Sequence, residues 1–127
     1  MTTRATARVE AAPNFLVNLE QAHAFFVLQD APSAASRLLR LKSDLREMVA
    51  VLGWSPTGGR PARFLNSRSA QARLRAESVR RLAEQAGLPN LREFILEQHV
   101  VLYAHADTEV VLLALKHQRQ LTYSVGQ

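Results

Sequence analysis

The chain has 127 residues, 47% of them apolar, with 16 Lys and Arg against 11 Asp and Glu and no cysteine. That length suits one domain with a modest core, and the lack of cysteine excludes disulfides and thiolate metal sites. The opening MTTRATARVEAAPNF lacks the apolar run of a signal peptide, and no segment approaches the roughly 18 apolar residues that span a bilayer, so a soluble, cytoplasmic protein without membrane contact is expected.

Arg4–Ala11 alternates weakly, with Ala7, Val9 and Ala11 on one side, which permits an edge strand. Pro13-Asn14 breaks it, and Asn14 is the expected cap of a helix to about Gln29 whose stripe is Phe15, Leu19, Ala22 and Phe26. After the Asp30-Ala31-Pro32-Ser33 turn, a second helix buries Leu38, Leu41, Leu45, Met48 and Leu52 and keeps Arg37, Arg40, Asp44 and Glu47 wet, with Gly53 as its C′ residue. The two helices form an antiparallel hairpin able to cover one face of a sheet.

Trp54 to Pro61 is the strongest loop signal, and Trp54 is read as a hydrophobic plug at the helix end. The Gly58-Gly59 pair is not a phosphate-cradling loop, because no Lys-Ser/Thr follows. A third helix over Ala70–Ala86, stopped by Gly87 and Pro89, has a thin apolar side of Ala72, Ala76, Val79, Ala83 and Ala86, which predicts a surface helix. Arginines are concentrated here: Arg60, Arg63, Arg68, Arg73, Arg75, Arg80 and Arg81 against Glu77 give a local +6, leaving −1 for the rest of a +5 chain. Such a field attracts nucleic acid or an acidic protein partner, or is simply a solvated face.

Three short apolar runs follow, Leu91–Leu96, His99–His105 and Glu109–Leu115, separated by breaks too brief for anything except tight reversals. They predict an antiparallel three-stranded meander. The last run lacks polar alternation, so both of its faces need cover and it belongs in the sheet interior. It delivers Lys116, His117 and Arg119 at its end, and Leu121–Gln127 reads as a tail. Arg92, in an otherwise apolar strand, pairs with Glu97 or a hairpin carboxylate, or serves a site. Tyr103 is read as core with its hydroxyl at the rim. His23, His99 and His105 show no paired ligand spacing, so no metal or other cofactor is expected.

Gly59-Arg60-Pro61, Leu91-Arg92-Glu93, Val100-Val101-Leu102-Tyr103 and Leu115-Lys116-His117-Gln118-Arg119, in this order, resemble the RelE/ParE superfamily of toxins. The resemblance implies an α+β fold, with a two-helix hairpin on a twisted, mainly antiparallel four-stranded sheet. Residues 1–127 form one toxin domain in this reading, and residues 64–90, an arginine-rich helical segment with no counterpart in most members, are inserted before the second strand. It further implies the toxin of a type II toxin-antitoxin pair, blocked by a cognate antitoxin with an acidic segment. ParE-like members inhibit DNA gyrase by binding; RelE-like members cleave messenger RNA on the ribosome. The second activity would draw on Arg92, His117, Arg119 and Tyr123, with Glu93 a further candidate, although strand parity sets Glu93 opposite Arg92. The first would use Arg60, Arg92, Lys116, His117 and Arg119 for target binding. The Gly-Arg-Pro loop and the Lys-His-Gln-Arg-Gln ending are closer to ParE-type members. A nucleic-acid-binding member without toxicity is the remaining alternative.

Overall fold

In the computed structural model the described residues are 6–62, 70–120 and 123–125; Arg63 and Arg68 fall outside them, as do the side chains of Arg73 and Arg75. The elements in chain order are β1 (Arg8–Ala11), α1 (Pro13–Gln29), α2 (Ala31–Trp54), β2 (Arg60–Pro61), α3 (Ala70–Ala86), β3 (Asn90–Ile95), β4 (His99–His105) and β5 (Glu109–His117). They build an α+β fold around one sheet of order β1-β5-β4-β3-β2. β1 pairs parallel with β5, and every other pair is antiparallel.

The sheet has five strands, not four, because the Gly-Arg-Pro loop is itself a short edge strand, with Arg60 opposite Glu93 and Pro61 opposite Arg92. The extra helix therefore precedes the third strand and not the second. Two residues carry no periodicity, and proline suits a sheet edge, where it forfeits no ladder bond.

The hairpin covers one face as expected. Phe15 and Phe26 of α1 and Leu41, Leu45, Met48 and Leu52 of α2 pack on Val101, Tyr103, Val110, Leu112 and Leu115. The start of α1 differs from expectation. Ala12, in extended conformation and without a side-chain cap bond, precedes Pro13 in the first turn, where the missing N–H costs no helical bond. Asn14 instead turns its amide to the carbonyls of Leu113 and Ser124. At the far end α2 runs through Gly53 to Trp54. Trp54 is 54% exposed and does not act as a plug.

The opposite face is covered too. Val79, Leu82, Ala83 and Ala86 of α3 join Val100, Leu102, Ala104, Leu113 and Ala114 in a second cluster that includes Tyr123. The helix is thus not merely superficial, and residues 123–125 are no loose tail. Apart from Val79 and Leu82, the described side chains of α3 in this cluster are alanines, which bury less apolar surface than the Leu and Met residues of α2, worth roughly 1.5–3 kcal/mol each when fully buried. A bulge serves this face: Leu102 lies opposite Ala114 and Tyr103 opposite Leu112, so Leu113 is the extra residue. Leu113 and Ala114 consequently both point into the second cluster, which resets the parity of the residues after them.

Candidate functional site

The side chains singled out in the sequence fall into three places. At the β2–β3 edge, Tyr103 is fully buried, and its hydroxyl donates to the Pro56 carbonyl at 2.7 Å and accepts from the Gly59 N–H at 2.9 Å. The hydroxyl is not at the rim; it folds the Pro56–Gly59 turn onto the sheet. Arg92, on the same face by its register with Tyr103, donates to the Gly59 carbonyl at 3.0 Å and to Nε2 of His105 at 3.2 Å. Burial, and after it the Arg92 charge, hold His105 below the usual histidine range, which keeps Nε2 free to accept. Glu97 is not the partner of Arg92; it lies 3.6 Å from Arg40 on the surface.

The second place lies on the opposite face. Glu93, 3% exposed, accepts a hydrogen bond from the Tyr123 hydroxyl and lies 3.6 Å from Nε of Arg60. Burial and the bond to Glu93 push the Tyr123 phenol well above the tyrosine range, so it stays protonated. The Lys116 ammonium sits 5.5 Å from the Tyr123 ring centre and donates to the Gln120 carbonyl at 3.0 Å. Burial lowers its pKa while Glu93 counteracts.

The third is a cleft of about 760 Å³ between the second half of α1, the β3–β4 turn and the end of β5, lined among others by Phe25, Phe26, Arg37, His99, His117 and Arg119. Its floor is fastened by Asn18, a buried polar residue of α1 whose Oδ1 accepts from the Leu115 N–H at 3.0 Å while its amide donates to the Ser124 carbonyl at 3.1 Å. This ties α1, β5 and the C-terminal segment together just after the bulge. Beside it the Arg37 guanidinium lies 4.1 Å over the Phe26 ring, and His99 sits edge-on between Phe26 and His117, at 6.0 and 5.3 Å.

Burial, then His117 and Arg37, lower the His99 pKa to about 4, with Asp44 a weaker opposing influence. The unfolded chain takes up this proton near 6.5 and the folded chain only near 4, so stability is complete above pH 6.5 and declines as pH falls towards 4. With allowance for solvent screening, the expected loss is about 1–2 kcal/mol. Urea denaturation of the native chain and of His99→Phe at pH 7 and 5 should show the native chain losing more stability than the variant between the two pH values; equal losses would remove this role.

His117 and Arg119 therefore share the cleft, and Lys116 borders it with its ammonium turned to Tyr123 on the α3 side, while Arg92 is remote at the other end of β4, and Arg60 and Tyr123 lie on the α3 side. Arg80 and Arg81 project from α3 into solvent. Arg37 and Asn18 were missed as site residues. Arg37 reads as an ordinary wet-face cation, and only the packing of α2 on α1 carries it over Phe26. Among the described residues no group of three or more His, Asp or Glu side chains could hold a metal ion, and no helix is long and apolar enough to cross a membrane.

No family model matches this sequence, and no curated protein does. Among solved structures, the fold is similar to a chain of the chromosomal ParDE TA system from P. aeruginosa, with a TM-score of 0.56 at 15% identity over 88% of this chain and 96% of that chain.

Proposed function

We propose that this chain is the toxin of a type II toxin-antitoxin pair, a ParE-like inhibitor of DNA gyrase that acts by binding and is neutralised by a cognate antitoxin bearing an acidic segment. The fold shared with a chain of the ParDE TA system supports the toxin-antitoxin reading. What favours binding over RNA cleavage is the scatter of the nuclease candidates. Cleavage at a ribose hydroxyl needs a base, an acid and cations around one phosphate. Arg92 is committed to Gly59 and His105, and Tyr123 is buried against Glu93, so only His117 and Arg119 share an accessible cleft. In this reading residues 1–127 are one toxin domain with 64–90 as an insertion. Lys116, His117 and Arg119 at the end of β5 meet the target, Arg60 extends the basic surface at the edge strand, and Arg92 acts indirectly by fixing the Gly59 turn. The exposed arginines of the insertion speed encounter with an acidic antitoxin and make it salt-sensitive.

The test is induced expression in a bacterial host without the antitoxin, following growth, cell shape and messenger RNA together. The expected result is filamentation with an SOS response and intact messages. Rapid translation arrest with cleaved messages would overturn the gyrase reading in favour of the nuclease one, and normal growth would overturn the toxin assignment itself.

A further inference from the structure

The cleft at the end of β5 has a donor excess that the binding of a protein target does not require. Among the described residues no ion pair engages Arg37 or Arg119. The one acid on the rim, Glu97, is taken by Arg40 at 3.6 Å. Three primary amides add to the imbalance. The oxygen of Gln21 already accepts from Asn18, that of Gln29 from Arg37 and that of Gln120 from the His117 N–H, at 3.3, 3.0 and 2.8 Å. Each amide thus keeps its NH₂ for a ligand. Two arginines and three amide donors in one concavity call for a molecule rich in acceptors and in negative charge.

Shape narrows the class. The cleft volume of about 760 Å³ is in the range of sites that enclose a small organic molecule, and an acidic side chain alone would leave most of it empty. Its walls include planar surfaces: Phe25 is 50% exposed, Phe26 carries the Arg37 guanidinium on its face, and the His99 and His117 rings meet edge to face. Burial, and after it Arg119, Arg37 and Lys116, depress the His117 pKa, and both arginines line the cleft beside this ring. Aromatic faces accept a base, amide donors meet its carbonyl and ring-nitrogen edges, and cations meet its phosphate.

We infer that the cleft between α1 and the end of β5 binds a phosphate-bearing nucleotide, with the phosphate between Arg37 and Arg119 and the base against Phe25. The ligand is either a free nucleotide or the terminal nucleotide of a single strand, which share this chemistry. The inference goes beyond the toxin reading and does not depend on it, since it is read from binding in solution and not from growth.

The experiment titrates the full chain with ADP, with a 5′-phosphorylated tetrathymidylate, with inorganic pyrophosphate and with a tetraglutamate peptide. Binding is followed by calorimetry and by the side-chain amide and arginine Nε resonances in NMR. Binding by ADP or the tetranucleotide is expected, weakening with added salt and shifting the NH₂ signals of Gln21, Gln29 and Gln120. The tighter of these two probes assigns the source. Arg37→Gln and Arg119→Gln should each weaken it about tenfold, while Arg8→Gln, outside the cleft, leaves it unchanged. Pyrophosphate or tetraglutamate binding as tightly as the nucleotides would overturn the inference, because charge alone would then suffice. No nucleotide binding, or unchanged affinity in both cleft variants with folded spectra, would overturn it as well.

Discussion

Gly59→Ala is expected to lower the melting temperature by about 10 °C or more, although it adds a single methyl group. A Cβ at this position would lie 2.4 Å from the Glu93 carbonyl oxygen, 2.8 Å from the Tyr103 hydroxyl oxygen and 2.9 Å from its ring. Neither neighbour can yield. The Glu93 carbonyl belongs to the β3 backbone, and Tyr103 is fully buried with its hydroxyl bonded to Pro56. Relief requires the turn to move off the sheet, with loss of the Gly59 bond to Tyr103, the Arg92 bond to Gly59 and the pairing of β2 with β3. Two bonds and an edge pairing amount to about 3 kcal/mol. The comparison is with Gly53→Ala, where the new Cβ meets only the Ala7 carbonyl oxygen at 3.7 Å within α2; there a gain of about 0.5–1 kcal/mol is expected. Thermal denaturation of both variants checks the argument, which equal melting temperatures would sink.

The same turn shows where sequence reasoning reaches and where it stops. Hydrophobic runs of distinct period placed the hairpin and the meander, and Gly87, at φ 71, marks the end of α3 where it was expected. Local signals sufficed there because each element carries its own periodicity. A two-residue strand at Arg60–Pro61 has none, and its pairing is set by Tyr103 and Arg92 from more than thirty residues away. Gly53 resembles a helix terminator, yet the backbone continues helical through it because Leu52 is buried under the hairpin face.

The cover on the second face was legible in principle. A strand as uniformly apolar as Val110–Leu115 demands burial on both sides, and with both early helices on one face only the Ala70–Ala86 helix was left for the other. Its stripe of small residues looks weak in isolation, but it meets Val100, Leu102 and Ala104, which are also compact. The cleft was half legible. The cations ending β5 stand out in the sequence, whereas Arg37, Gln21 and Asn18 reach them only through packing of the hairpin. The bulge at Leu113 has no glycine to announce it, and it is what divides Lys116 from His117 between the two faces.

Glu93→Leu is expected to destabilise the chain by about 3 kcal/mol, because it removes a buried acceptor and leaves the Tyr123 hydroxyl and the Arg60 guanidinium to find other partners. Tyr123→Phe alone should cost about 1–2 kcal/mol. If the two groups act as one pair, the double variant is less damaging than the sum by about 1–2 kcal/mol, since with the carboxylate gone the phenylalanine no longer wastes a hydroxyl bond. Chemical denaturation of the three variants measures this coupling, and strict additivity would mean that the contact contributes nothing of its own. Under the proposed toxin function the pair also separates binding from RNA cleavage. A tyrosine that works in RNA cleavage must lose or donate its proton at the substrate, but the Tyr123 phenol is buried, driven upward in pKa and spent on Glu93. At a temperature where Tyr123→Phe remains folded, growth arrest on induced expression is therefore expected to match that of the native chain. Loss of arrest in a folded Tyr123→Phe protein would place the hydroxyl in the reaction and return the nuclease reading to first place.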